Sequence, residues 1–143
     1  MTKWPRFGSC KTRLSKDIGK NNALRIQKRM LNHTISVSNY IKEQEIAEIS
    51  IAITGIGLNS TKRWCKVLGI NNFYFQGKGC LGEKMKRQIL HSQRNSKNYQ
   101  KKNLVFIGTD LPNLSHMDIV KTISKLENKD VIIGPSNDGG YWL

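Results

Sequence analysis

Hydrophobic and polar residues alternate along the chain in two different periods. Between Asn21 and Glu45 apolar residues recur at helical spacing, with Lys, Arg and Gln between them, which predicts one long helix. Short apolar runs follow, and they predict the strands Glu48–Thr54, Asn72–Gln76, Leu104–Ile107 and Val131–Gly134. Amphipathic stretches between them predict helices from Ser60 or Thr61 to Leu68, from Leu81 to Arg94, and from Ser115 to Leu126.

This order of elements indicates an α/β fold. Strands that alternate with helices form βαβ units with right-handed crossovers, so we expect a Rossmann-like, mostly parallel sheet with flanking helices. Leu104–Ile107 is apolar without alternation, as expected of a strand that is buried on both faces. A chain of 143 residues has the size of one domain, which we take as residues 1–143.

Polar, glycine-bearing turns follow three of the predicted strands, after Phe75, Ile107 and Ile133. The carboxyl ends of parallel strands lie at one edge of a sheet, where ligands bind. We therefore expect Asp110 and Asp138 to converge there as oxygen ligands for a cation such as Mg²⁺. In the alternative interpretation Asp110 is only a turn residue or a helix cap, since Asp is favoured in turns.

A basic loop, Pro5–Leu14, lies near the start of the chain. Gly8 permits a tight turn, and Lys11 and Arg13 supply a point charge and a planar fork for phosphate oxygens. The spacing is not that of a Walker P-loop, and many basic loops are simply solvated. A second glycine-rich turn, Gly77–Gly82, leads into a helix whose first N–H groups can meet an anion or a base edge, unless it is a plain connection.

The formal net charge of +14 suggests an anionic partner, either nucleic acid or a phosphorylated small molecule. The basic residues are spread along the chain, and neither an RNA-binding aromatic signature nor a helix-turn-helix pattern is present. The pattern therefore favours a phosphorylated small molecule and disfavours nucleic acid, although a basic nucleic-acid-binding domain stays as an alternative.

The expected compartment is the cytoplasm. No apolar run approaches the roughly 20 residues of a membrane span, and the first ten residues lack the apolar core of a secretory signal. Three widely spaced cysteines, Cys10, Cys65 and Cys80, argue against a disulfide framework or a zinc site.

Four blocks of sequence resemble the glycosyltransferase-A-like family of small bacterial transferases known as selenodomain-associated, which are distant relatives of molybdenum-cofactor and phospholactate guanylyltransferases. The blocks are KWPRFGSCKTRL at Lys3–Leu14, FQGKGCLGEKM at Phe75–Met85, FIGTDLPNL at Phe106–Leu114 and IGPSNDGGYWL at Ile133–Leu143. They occur in the family's order and span essentially the whole chain. The resemblance implies a nucleotide-diphospho-sugar transferase fold that binds a nucleotide or nucleotide sugar with Mg²⁺ or Mn²⁺.

The resemblance also implies roles for particular residues. Gly8, Lys11 and Arg13 are similar to the diphosphate-binding loop of the family. Gln76 and Gly82 fall where relatives contact the base.

The two acidic positions are carried over in the same way. Asp110 falls in the position of the metal-binding aspartate. Asp138 is similar to the second acidic position near the acceptor, as a second metal ligand or a catalytic base.

Three features depart from the family pattern. Family members have an apolar strand before the basic loop, whereas only Met1 and Thr2 precede Lys3 here. Relatives also continue beyond the position of Leu143. We therefore expect a domain that lacks the first strand and the C-terminal acceptor part, from a truncated, mis-started or decayed gene. Finally, Cys80 replaces the usual acidic residue.

The function that these expectations favour is metal-dependent glycosyl transfer from a nucleotide sugar. Nucleotidyl transfer of the guanylyltransferase type is the first alternative, because both reactions use the same phosphate cradle. A remnant that folds or binds a nucleotide without turnover is the second alternative, and a nucleic-acid-binding domain is the third.

Overall fold

Strands and helices alternate along the part of the chain that the computed structural model describes, residues 1–94, 103–136 and 141. The strands are β1 (Thr2–Lys3), β2 (Ser50–Thr54) and β3 (Asn72–Phe75). The helices are α1 (Leu14–Glu43), α2 (Leu58–Val67), α3 (Leu81–Arg94) and α4 (His116–Lys125). The predicted α/β class is confirmed.

The three strands form a parallel sheet in the order β1-β2-β3. In β2, the residues Ile51, Ala52 and Ile53 are all buried, which explains why this strand has no alternating polar face. The strand pairs with β3 from Ser50 onward but with β1 only at Ile53 and Thr54. Its first residues also line a cavity of about 790 Å³, together with Met1, Thr2 and the segment from Asn103 to Ile107.

Helix α1 begins seven residues earlier than the periodicity predicted, at Leu14 rather than Asn21. Gly19 has φ 80° and ψ 158°, so the helix consists of two helical segments joined at a kink. The hydrophobic pattern identified only the segment after this kink, because the first segment carries mainly polar residues. No helix within residues 1–94 and 103–136 is both long and apolar enough to cross a membrane.

Two apolar clusters pack against α1. The first joins the middle of α1 to the sheet and α2, and its buried members are Leu31, Ile35, Ile51, Cys65 and Ile70. The second joins the end of α1 to α4, and its buried members are Ile41, Leu114 and Ile119. Helix α1 thus links the sheet to the later part of the chain.

The starts of two other helices test the capping predictions. Ser115 and Asp118 form the predicted capping box at the start of α4. Helix α2, in contrast, begins at Leu58 after Gly57, so a cap at Ser60 or Thr61 is wrong. Thr61 is fully buried inside α2, and its hydroxyl donates back to the carbonyl of Gly57.

Two predicted strands are wrong. Leu104–Ile107 is irregular, and the carbonyl of Ile107 accepts a hydrogen bond from the amino group of Met1. Val131–Gly134 is also irregular. Val131 is 73% exposed and Ile133 is 65% exposed, so this run is not buried on both faces.

Candidate functional site

The basic loop connects β1 to α1. The backbone of Trp4 continues the contact with β2 by donating to Thr54, and its ring packs edge-on against Trp64 at 4.9 Å between centroids. The Nζ of Lys3 donates to the carbonyl of Ser9 at 2.7 Å and thereby closes the loop. These contacts tie the start of the loop to the sheet and close the loop between Lys3 and Ser9.

Two residues of the loop have left-handed backbone conformations. Gly8 has φ +70°, which a glycine adopts at little cost, as the sequence predicted for a tight turn. Lys11 has φ +45°, which is uncommon for a residue with a side chain. Its carbonyl accepts from the N–H of Ser15 at 2.9 Å. This hydrogen bond from the start of α1 stabilises the left-handed conformation of Lys11. Strained backbone held in this way clusters at functional sites.

The side chains of the loop line a recess of about 420 Å³. Its cationic members are Lys3, Lys11 and Arg13, and the others are Ser9, Thr12 and Leu14. Lys11 and Arg13 were predicted as phosphate-binding residues. Lys3 was missed, although its position at the end of a strand directly before the loop was a usable signal.

Asp110 lies beside this recess. Its Oδ1 is 3.1 Å from the Nζ of Lys11, and its side chain is 63% exposed against 16% for Lys11. Thr109 and Thr2, whose hydroxyl oxygens are 3.2 Å apart, join the same two segments of chain. The structure thus brings Asp110 and the basic loop together, although Leu104–Ile107 is not a strand.

The side chain of Gln76 is hydrogen-bonded to the backbone of two strands. Its side chain is buried, and its Nε2 donates to the carbonyls of Thr2 at 2.7 Å and Ala52 at 2.9 Å. This amide nitrogen therefore bridges β1 and β2. The base contact that the resemblance implies for Gln76 is untested, and the nitrogen of its amide is already engaged.

The glycine-rich turn after Gln76 is closed by two charged residues of α3. Arg87 donates to the carbonyls of Gln76 and Lys78. Glu83 accepts from the N–H of Cys80 at 2.7 Å, and this bond chiefly holds the pKa of Glu83 below its usual range. Gly82, the other residue that is expected to contact the base, is the last residue of this turn and the second residue of α3.

The second predicted carboxylate, Asp138, lies outside the described residues. Within residues 1–94, 103–136 and 141, no three His, Cys, Asp or Glu side chains cluster so that they could hold a metal ion. Asp110 supplies one carboxylate, already paired with Lys11, whereas Mg²⁺ takes about six oxygen ligands. The described residues alone do not fit a divalent cation.

The chain belongs to a bacterial protein family. The model of the family DUF2064, described as an uncharacterized protein conserved in bacteria, matches residues 37–143. No curated protein matches the chain. The basic loop precedes the matched residues, whereas Asp110 lies within them.

A solved structure shares the fold. It is the crystal structure of a protein from Desulfovibrio desulfuricans G20 named "putative nucleotide-diphospho-sugar transferase", with a TM-score of 0.84 and 24% sequence identity over 99% of this chain. The alignment covers 58% of that protein, so the present chain spans a little over half of its length.

Proposed function

We propose that this chain binds the diphosphate of a nucleotide-activated donor at the basic loop and serves glycosyl transfer from a nucleotide sugar. The observation that carries the proposal is the recess that brings Lys3, Lys11 and Arg13 together beside Asp110. The similarity to a fold whose solved example is named a nucleotide-diphospho-sugar transferase supports it.

Charge neutralisation is the contribution of the loop. When a sugar leaves a nucleoside diphosphate, negative charge develops on the diphosphate oxygens, and fixed cations lower the energy of that state. Lys3 and Lys11 offer ammonium groups, and Arg13 offers a guanidinium fork that matches two oxygens. The hydrogen bond from Lys3 to Ser9 closes the loop in the ligand-free protein, so binding of a diphosphate requires little reorganisation of the loop.

Mg²⁺ or Mn²⁺ is part of the proposal as the cofactor, with Asp110 as one ligand and Asp138 as the second. A bound cation would act as a Lewis acid on the diphosphate. Asp138 is proposed also as the base that faces the acceptor, and Gln76 and Gly82 as neighbours of the nucleobase. The proposed setting is the cytoplasm, where the cysteines stay reduced, as the free thiols of Cys10, Cys65 and Cys80 allow.

The experiment that tests this function is a product assay with a panel of nucleotide sugars and nucleoside triphosphates, each with Mn²⁺ and with Mg²⁺. Release of a nucleoside diphosphate from a nucleotide sugar supports glycosyl transfer. Release of pyrophosphate from a triphosphate alone moves the assignment to nucleotidyl transfer.

If no product forms, calorimetry with the same ligands measures whether the protein binds a nucleotide without turnover. A nucleotide that binds but is not consumed identifies a binding protein rather than an enzyme. Failure of every nucleotide to bind, together with salt-sensitive binding to RNA or DNA, overturns the proposal in favour of a nucleic-acid-binding domain.

A further inference from the structure

An ion pair lies at the basic loop, in a chain that has 24 lysine and arginine residues and 10 acidic ones. It joins Lys11 to Asp110, at 3.1 Å between Nζ and Oδ1. These two residues are 99 positions apart and come from different segments of the fold. The cation at the centre of the proposed diphosphate site therefore has a carboxylate beside it, although the chain is strongly basic.

The two partners differ in their freedom to move. The Lys11 side chain is 16% exposed and its backbone is held in a left-handed conformation by the start of α1. Asp110 is 63% exposed and follows an irregular segment. If the pair opens, Lys11 stays at the recess, whereas the carboxylate of Asp110 can turn to solvent or to another ligand.

We propose that Asp110 is an internal counter-ion that occupies Lys11, and that a diphosphate binds by replacing the Asp110 carboxylate on the Lys11 ammonium. This inference rests on the proposed function, because it assumes that the recess binds a diphosphate. It goes further because it assigns Asp110 a role in the ligand-free protein. In that state the Asp110 carboxylate lowers the affinity of the recess for anions.

The reason is competition between like charges. A phosphate oxygen and the Asp110 carboxylate both require the Lys11 ammonium, and the two anions repel each other when they are adjacent. Bare anions are therefore bound weakly, and a ligand that draws Asp110 away from Lys11 is bound more tightly.

The test is calorimetric titration of inorganic pyrophosphate in the presence of EDTA at about 0.15 M salt, with the full chain. Asp110→Asn keeps the shape of the side chain and removes its charge. Asp130→Asn is the matched control, because it makes the same change in net charge at an exposed position that does not line the recess. Thermal unfolding of each variant confirms that it is folded.

The expected result is a two- to fivefold lower Kd for Asp110→Asn than for Asp130→Asn, about the effect of one exposed ion pair. An equal or higher Kd in Asp110→Asn overturns the inference. Lys11→Met separates the two proposals. If wild type binds pyrophosphate and Lys11→Met does not, but Asp110→Asn gains nothing, only the counter-ion role fails.

If neither the wild type nor any variant binds pyrophosphate, nucleoside diphosphates are titrated in its place. Failure of these as well means that the recess is not a diphosphate site. The proposed function then falls together with the counter-ion role.

Discussion

Strand β2 and the segment Leu104–Ile107 are both short apolar runs, yet only one of them forms a strand. Strand β2 has β3 along four residues and β1 along two, with α1 and α2 packed against its cluster. Leu104–Ile107 forms no strand ladder among the residues that the structure describes, and Leu104 is 39% exposed. An apolar run therefore indicates burial, but a strand also requires a neighbour with backbone groups to pair.

The largest expected effect contrasts two isoleucines. Ile53 is fully buried in the centre of the sheet, so Ile53→Ala should lower the free energy of unfolding by about 2–5 kcal/mol. Ile133 is 65% exposed in the second wrongly predicted strand, and Ile133→Ala should change it by less than about 0.5 kcal/mol. Urea denaturation measures both. Equal losses would mean that Val131–Gly134 is buried like β2.

Gln76 extends this comparison, because its side chain connects β1 to β2 through two hydrogen bonds. Gln76→Leu removes both hydrogen bonds from the amide to the carbonyls of Thr2 and Ala52, which should cost about 1–3 kcal/mol in urea denaturation. A neutral result for stability, combined with weaker nucleotide binding, would instead favour the base-contacting role.

Two glycines give a smaller contrast, one in the turn before α3 and the other directly after Leu104–Ile107. Gly79 has φ +111°, and an added Cβ would lie 2.3 Å from a carboxylate oxygen of Glu83, so Gly79→Ala should cost about 1–2 kcal/mol. Gly108 has open space around it, and Gly108→Ala should be close to neutral. Thermal unfolding compares the two. The account of the closed turn is contradicted if Gly108→Ala is the more damaging change.

The smallest expected effect concerns the capping box. Hydrogen bonds from the hydroxyl and the N–H of Ser115 hold the pKa of Asp118 below its usual range. A lowered carboxyl pKa stabilises the fold above the unfolded value and loses that contribution as the pH falls through the folded value. Ser115→Ala should therefore cost about 1 kcal/mol at pH 7 and less in acid. A cost that grows on acidification would contradict this role.

The sequence predicted those features that local pattern determines. Helix α3 has the predicted bounds, and the spacing of Ser115 and Asp118 identified the start of α4.

The features that the sequence analysis missed depend on partners distant in the chain. The bridging role of Gln76 requires two other strands, and the bond from Lys3 to Ser9 requires the folded loop. Whether Leu104–Ile107 forms a strand depends on backbone partners elsewhere in the chain, which its own residues do not encode.

The most direct test of the central claim is calorimetric titration of wild type, Lys11→Met and Lys129→Met with GDP and with UDP. Lys129 is exposed and lies away from the recess, so it serves as the charge-matched control. Our account predicts at least a roughly tenfold loss of affinity in Lys11→Met, since a charged hydrogen bond contributes about 1.5–3 kcal/mol, and little change in Lys129→Met. Equal affinities in all three proteins would contradict it.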